Sequence, residues 1–136
     1  MNIPEALFSA ALLLASAGVV AAPLLRCEVV YAGSSHIVEA APGSDPYTTP
    51  SVDIDGRFRF KAVLLGTQER VDAVKLYVYY ETRKQPVLLQ EAKYLPPFAA
   101  ADASGSPDAL TGRQYLYAPP LGRELQYGCA LREAKP

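Results

Sequence analysis

Residues 57–81 read RFRFKAVLLGTQERVDAVKLYVYYE, and this stretch decides the fold. Apolar side chains occupy every second position on both sides of a central segment, Gly66-Thr67-Gln68-Glu69. The apolar sets are Phe58, Phe60, Ala62 and Leu64 before this segment and Val74, Leu76, Val78 and Tyr80 after it. Strict alternation is typical of a β-strand with one buried face, so the stretch predicts a β-hairpin.

The register of this hairpin is restricted because both apolar sets must lie on the same face of the sheet. The register that we predict makes the pairs Phe58–Val78, Phe60–Leu76, Arg57–Tyr79 and Arg59–Tyr77. The arginine–tyrosine pairs then lie together on the face that points away from the core.

The rest of the chain shows the same alternation, with frequent glycine and proline residues between the apolar runs. The predicted strands are 25–32, 35–41, 52–65, 70–81, 86–95, 113–118 and 123–132. Gly33-Ser34 is predicted to form a tight turn and 41–50 a proline-rich loop. Residues 96–112 are predicted to form a flexible loop, which Phe98 and Leu110 can hold to the core. We predict an all-β, single-domain antiparallel β-sandwich of about seven strands, or a small barrel.

Two cysteines, Cys27 and Cys129, lie near the two ends of the predicted domain. In the segment around each cysteine, most of the apolar residues lie an even number of positions from it and therefore on the same strand face. Both sulfurs are thus predicted to point into the core. We predict a structural disulfide between them, since a redox-active pair is usually closely spaced and a metal site needs more ligands. Lipid attachment at Cys27 is disfavoured because Leu25-Arg26 precedes it.

Tyr127-Gly128-Cys129 is similar to the Tyr-x-Cys sequence of immunoglobulin domains, in which a tyrosine lies two residues before the second cysteine. The similarity is limited to these residues, because the chain has no tryptophan and Cys27 lies in the first predicted strand. It is immunoglobulin-like at most in outline and implies no function.

Residues 7–22 read LFSAALLLASAGVVAA and carry no charge. This run has the length of a signal-peptide core and is short for a membrane span, which needs about 20 apolar residues. Val19 and Ala21 suit cleavage after Ala21, so we predict a signal peptide over 1–21 and a single β-rich domain over 22–136. The segment before the run contains Glu5 and no lysine or arginine, which leaves an uncleaved anchor as the alternative.

The chain has 13 basic and 14 acidic residues, for a net charge of −1. This balance disfavours nucleic acid as a partner. We expect an exported protein, periplasmic or secreted, with no stable membrane insertion of the mature chain and with no metal site or cofactor.

The possible binding face consists of Arg57, Arg59, Tyr77 and Tyr79, with Lys61 beside the arginines on the same strand face. Cationic and aromatic side chains at adjacent cross-strand positions can bind a sugar, an acidic peptide or a carboxylate. The same residues can instead stabilise an ordinary solvated sheet face.

Other polar groups give weaker indications of chemistry. Asp53 and Asp55 are two residues apart, so we expect them on one strand face, where paired carboxylates can support acid–base chemistry. They more often form surface ion pairs with neighbouring arginines. His36 is the only histidine and follows Ser34-Ser35, but adjacent residues rarely converge as nucleophile and base.

These observations predict a non-enzymatic binding or accessory module with an unknown protein or carbohydrate partner. The alternative is a small inhibitor of a secreted hydrolase that inserts the 96–112 loop into the enzyme. A carboxylate-dependent enzyme that uses Asp53 and Asp55 is the second alternative.

Overall fold

The computed structural model describes residues 22–99, 105–119 and 121–133. The signal peptide predicted over 1–21 lies outside these residues. The strands are β1 (Pro23–Tyr31), β2 (Ser34–Ala40), β3 (Pro42–Gly43), β4 (Val52–Ile54), β5 (Phe58–Gly66), β6 (Val71–Tyr80), β7 (Val87–Tyr94), β8 (Gln114–Ala118) and β9 (Arg123–Glu133). One 3-10 turn, Pro46–Thr48, separates β3 from β4.

The strands form two packed sheets. Sheet A has the order β2-β1-β9-β8, and sheet B has the order β3-β5-β6-β7, with β4 also paired to β5. Neighbouring strands are antiparallel except for β3 and β5, which are parallel. The sheets do not close into a barrel, so the predicted β-sandwich is confirmed and the barrel alternative is wrong.

The core lies between the two sheets and consists of the alternating side chains that the sequence singles out. Sheet A contributes Leu25, Cys27, Val29, Val38, Ala118, Leu125, Tyr127 and Cys129, and sheet B contributes Ile54, Phe58, Phe60, Ala62, Leu64, Val74, Leu76 and Val78. The Phe60 and Tyr127 rings meet across the core with their centroids 5.2 Å apart. Burial of these side chains is the main stabilising contribution to the fold.

The predicted disulfide between Cys27 and Cys129 is confirmed, with an S–S distance of 2.07 Å. The two cysteines lie directly opposite each other in β1 and β9, and both are fully buried. The bridge therefore joins neighbouring strands of sheet A, whereas the immunoglobulin bridge joins two sheets. Tyr127 also differs from its immunoglobulin counterpart, since its hydroxyl donates to Gln90 Oε1 in the opposite sheet.

The predicted register of the β5–β6 hairpin is wrong by two residues, although the inward and outward faces are correct. The observed pairs are Phe58–Tyr80, Arg59–Tyr79, Phe60–Val78, Lys61–Tyr77 and Ala62–Leu76. The turn is longer than predicted because Thr67 Oγ1 accepts hydrogen bonds from the amides of Glu69 and Arg70. A register irregularity between Leu65 and Gly66 completes the shift.

The strand predicted over 52–65 is in fact two strands joined by a tight turn. Asp55 (φ 52°) and Gly56 (φ 70°) occupy the left-handed region, and the Arg57 amide donates to the Ile54 carbonyl over 3.1 Å. Two central residues with positive φ define the tight turn that matches the twist of a hairpin, and Asp-Gly is a preferred sequence for it.

Two turns and loops near the N-terminal strands also differ from prediction. The β1–β2 turn is centred on Ala32 and Gly33, both with positive φ, rather than on Gly33-Ser34. Within the predicted 41–50 loop, Pro42 and Gly43 pair with Leu64 and Leu65 and so attach the crossover between the sheets to β5.

The long loop predicted over 96–112 is attached to the core where the structure describes it. Phe98 and Leu110 both pack against the core. The Leu110 amide donates to the Cys129 carbonyl over 2.9 Å, and the Cys129 amide donates to Thr111 Oγ1 over 2.9 Å. Residues 105–112 therefore extend the edge of sheet A beside β9.

Candidate functional site

The outer face of sheet B carries the residues that the sequence suggests for binding. Three rows cross this face from β5 to β7 through β6, according to the observed registers. The rows are Arg59–Tyr79–Leu88, Lys61–Tyr77–Glu91 and Val63–Lys75–Lys93. We call Arg59, Lys61, Lys75, Tyr77, Tyr79, Glu91 and Lys93 the basic–aromatic face.

Two tyrosines form the centre of the basic–aromatic face. The rings of Tyr77 and Tyr79 stack with their centroids 6.4 Å apart and their planes 13° apart. Lys61 Nζ lies 5.3 Å from the centroid of the Tyr77 ring, which is a cation–π contact. Partial burial, and then the proximity of Tyr77 and Glu91, raises the pKa of Tyr79. Its hydroxyl is therefore protonated at neutral pH and can both donate and accept a hydrogen bond.

Arg59 is positioned by the protein rather than left free for a ligand. Its Nε donates to Ser51 Oγ over 2.7 Å, and its Nη2 donates to the Ser51 carbonyl over 3.1 Å. Its Nη1 lies 3.3 Å from Glu81 Oε1 and 3.9 Å from Asp53 Oδ1. These contacts neutralise the guanidinium and hold the edge strand β4 against β5.

Arg57 does not form the predicted pair with Tyr79, which lies opposite Arg59 instead. It lies in the exposed β4–β5 turn, and its carbonyl accepts a hydrogen bond from the Glu81 amide over 2.8 Å. The structure thus brings Arg59, Tyr77 and Tyr79 together on one face, and Arg57 lies one row beyond Arg59, next to Glu81 rather than Tyr79.

Lys75 and Lys93 on the basic–aromatic face did not stand out in the sequence, whereas Lys61 did. Lys75 and Lys93 lie directly opposite each other in β6 and β7, and Lys61 is a diagonal neighbour of Lys75. Among the residues that the structure describes, none of the three has a carboxylate within ion-pair distance. The alternation of residues 89–94 places Lys93 outward, but its partner follows only from the register of β6 and β7.

The outer face of sheet A is partly covered by residues 105–112. Asp108 lies so close to β9 that a Cβ on Gly128 would be 1.6 Å from its Oδ1, so this approach requires glycine. Arg113 Nη2 lies 3.1 Å from Asp108 and 3.4 Å from Glu28. Arg132 Nη2 donates to the Gly105 carbonyl over 2.7 Å. Arg113 and Arg132 therefore connect this covering segment to the strands of sheet A.

The uncovered part of sheet A presents two exposed tyrosines. Tyr115 and Tyr117 on β8 are 60% and 63% exposed. A hydrogen bond to the Glu124 carboxylate, together with its negative charge, raises the pKa of Tyr117. The alternation in QYLYA (114–118) is the signal that could have identified this pair.

A surface cleft of about 470 Å³ lies near these tyrosines, between the β1–β2 and β8–β9 turns. Its lining includes Tyr31, Leu121, Arg123 and Glu124. Arg123 Nη1 donates to Tyr31 Oη over 3.1 Å, so the arginine connects the two turns.

The two aspartates considered for catalysis, Asp53 and Asp55, contact different groups of the protein. Asp53 Oδ2 accepts a hydrogen bond from the Gly56 amide over 3.1 Å and so stabilises the β4–β5 turn. Asp55 Oδ2 lies 3.2 Å from His36 Nε2, which links that turn to β2. Ser34, Ser35 and His36 all lie in the described residues, and neither serine forms a hydrogen bond with His36.

Within residues 22–99, 105–119 and 121–133, no cluster of three histidine, cysteine or acidic side chains could hold a metal ion. In that same part of the chain, no helix is long and apolar enough to cross a membrane. The fold and the face define a small, disulfide-bonded β-sandwich protein. No known family, curated protein or solved structure matches the chain.

Proposed function

We propose that this protein is an exported, non-enzymatic binding module that holds its partner on the basic–aromatic face. The observation that carries the proposal is the stacked Tyr77–Tyr79 pair on an open sheet surface, with Lys61 against one ring. Tyrosine provides a large contact area at low conformational cost and hydrogen-bonding capacity at its tip, which makes it frequent in recognition surfaces.

Export is supported by the disulfide and by the N-terminal segment of the chain. Cys27 and Cys129 form a disulfide, which is stable in an oxidising compartment outside the cytoplasm. The uncharged segment 7–22 has the composition of a signal-peptide core and ends in small residues suited to cleavage after Ala21. We place the mature protein in the periplasm or the extracellular space.

A binding role without catalysis is supported by how the polar groups are used. Arg59, Asp53 and Asp55 are each held by neighbouring residues of the sandwich. The groups that remain free to contact a partner are the lysines and tyrosines of the face, which can hold a ligand by charge and stacking.

Affinity capture from cell-envelope material tests this proposal. The full chain is expressed, and the protein is purified after any processing that occurs in the cell. The wild type and the Tyr77→Ser/Tyr79→Ser variant are then immobilised separately. The matched control is Tyr115→Ser/Tyr117→Ser, which removes two exposed tyrosines with the same spacing from sheet A. We expect the first variant to lose the captured partner and the control to retain it.

Folding is checked by circular dichroism and by the thermal midpoint of each variant. A Tyr77→Phe/Tyr79→Phe variant keeps the ring packing and serves if the serine variant unfolds. Because the phenylalanine variant removes only the hydroxyls, we expect it to weaken capture without abolishing it. Capture that survives in a folded serine variant, or that is lost only in the control, would refute the proposal.

A further inference from the structure

We infer that the ligand of the basic–aromatic face is an acidic polysaccharide, an inference that rests on the binding function proposed above. Its carboxylate or sulfate groups would bind Lys61, Lys75 and Lys93, and its sugar rings would pack on Tyr77 and Tyr79. The inference is carried by the charge and by the shape of this face.

The charge of the face is not balanced from within the protein. Lys75 and Lys93 occupy directly opposite positions, an arrangement in which like charges repel. Lys61 adds a third positive charge at one diagonal position of Lys75, and Glu91 at the other diagonal position offsets one of these three charges. Arg59 adds no free charge because Glu81 and Asp53 neutralise it.

Two cations on the outer face of sheet A face opposite charge. Arg113 lies between Glu28 and Asp108, and Arg26 lies directly opposite Glu39 in the β1–β2 register. The lysine cluster of sheet B therefore contrasts with the other sheet, and an anion from outside the protein would supply the missing complement. Electrostatic complementarity of this kind favours association and orients the partner.

The shape of the face favours an extended polymer. One side of β6 carries, in succession, Lys75, Tyr77 and Tyr79. The advance of four residues from Lys75 to Tyr79 spans about 14 Å along the strand. The face is an open sheet, while the 470 Å³ cleft lies at the β1–β2 and β8–β9 turns of sheet A. A small ligand is normally enclosed in a concave cleft of this kind. An extended polymer can instead lie along the flat row of side chains on β6.

The side chains of the face favour a polysaccharide over an acidic protein. Protein interfaces depend on buried apolar and aromatic anchors, and lysine and glutamate are depleted at their centres. Here two aromatic rings are flanked by lysines and a glutamate, so contacts are made by stacking and by charge. Sugar rings have apolar C–H surfaces that pack on aromatic rings, and their hydroxyls can bond the hydroxyls of Tyr77 and Tyr79.

Equilibrium binding to defined polymers tests the ligand class. The probes are alginate, which is a carboxylated polysaccharide, dextran sulfate, neutral dextran, poly-L-glutamate and single-stranded DNA. We expect binding to alginate and dextran sulfate, and a fall in affinity between about 0.05 and about 0.3 M salt as charges are screened. Equal binding to neutral dextran, or tighter binding to poly-L-glutamate or to DNA, would overturn the inference.

A pair of matched charge reversals locates the interaction. Lys75→Glu and Arg26→Glu change the net charge equally, at exposed or half-buried positions on the outer faces of different sheets. We expect Lys75→Glu to lower the affinity for alginate about five- to tenfold, as loss and reversal of an exposed ion pair implies. Arg26→Glu should change it less than about twofold at moderate salt. Equal losses in the two variants would overturn the inference.

The capture experiment distinguishes failure of this inference from failure of the proposed function. If capture depends on Tyr77 and Tyr79 while neither alginate nor dextran sulfate binds, the binding module stands and the ligand class is wrong. If capture is also unaffected by the tyrosine variant, the proposed function itself is wrong.

Discussion

The two outer faces of this sandwich use similar strands in different ways. On sheet A, the 105–112 segment covers part of the surface, and the cross-strand pair Arg26–Glu39 has opposite charges. On sheet B, the surface is open, and the corresponding pair Lys75–Lys93 has like charges. The difference indicates that the Arg26–Glu39 pair of sheet A contributes to stability, whereas the Lys75–Lys93 pair of sheet B carries charge that does not stabilise the fold.

The largest expected effect comes from the covalent bond that distinguishes sheet A. Replacing Cys27 and Cys129 together with alanine should lower the free energy of unfolding by about 4–5 kcal/mol, because the bridge closes a loop of about 100 residues. Urea unfolding of the oxidised wild type and the double variant measures this loss. A loss below about 1 kcal/mol would show that strand pairing alone holds β1 against β9.

The next effect tests the covering of sheet A. Gly128→Ala should lower stability by about 1–3 kcal/mol, because the new Cβ would overlap the Asp108 side chain. Gly43→Ala is the matched control, since a Cβ there meets no atom within 4 Å. We expect the control to stay within about 0.5 kcal/mol of the wild type.

A double variant identifies the cause of the Gly128 effect. Asp108→Ala combined with Gly128→Ala should recover part of the lost stability, because the clash is with this side chain. A double-mutant cycle measured by urea unfolding gives the coupling. Strictly additive losses would mean that residues 105–112 do not press on β9 as described.

Tyr127 tests how the two sheets are joined through the core. Burial, followed by the proximity of Tyr94, raises the pKa of Tyr127 above its ordinary value of 10.0. Above pH 10 the tyrosine ionises in the unfolded chain before it ionises in the folded protein. The contribution of Tyr127 to the free energy of unfolding is therefore fully present below pH 10. Above pH 10 it falls by up to about 1.4 kcal/mol per pH unit.

Tyr127→Phe should remove this part of the alkaline dependence and cost about 1 kcal/mol at neutral pH, where the hydrogen bond to Gln90 is lost. Unfolding measured from pH 8 to pH 11 compares the two proteins. An unchanged slope in the variant would show that Tyr127 does not control alkaline unfolding.

The smallest expected effect bears on the lysine pair of sheet B. Lys75→Glu should raise the stability by about 0.2–0.5 kcal/mol, because it converts a repulsive cross-strand pair into an attractive one. Arg26→Glu should do the opposite on sheet A, where it would face Glu39. If Lys75→Glu lowers the stability, the pair is not an electrostatic cost to the fold.

Much of the fold could be predicted from alternation alone. The inward parity of Phe58, Phe60 and Cys129 follows from the sequence, and so do the disulfide and the sandwich class. The hairpin register could not be predicted because it depends on the Thr67 side chain, which bonds the amides of the turn. The Asp55-Gly56 turn could have been recognised from its sequence.

The candidate site was less accessible to prediction than the fold. Tyr77 and Tyr79 were found because they lie on one strand, where spacing determines the face. The Lys75–Lys93 pair depends on the register of two strands and on the irregularity between Val78 and Tyr79. The predicted Arg57–Tyr79 pair is wrong because the observed register is shifted by two residues, which places Arg59 opposite Tyr79.

Differential acetylation of lysines tests most directly whether the outer face of sheet B is the binding surface. The folded protein is acetylated alone and with the partner captured from envelope material, and each lysine is quantified by mass spectrometry. Lys61, Lys75 and Lys93 should be protected by the partner, while Lys84 in the exposed β6–β7 turn should react equally in both samples. Unchanged reactivity of all three face lysines in the complex would contradict the account.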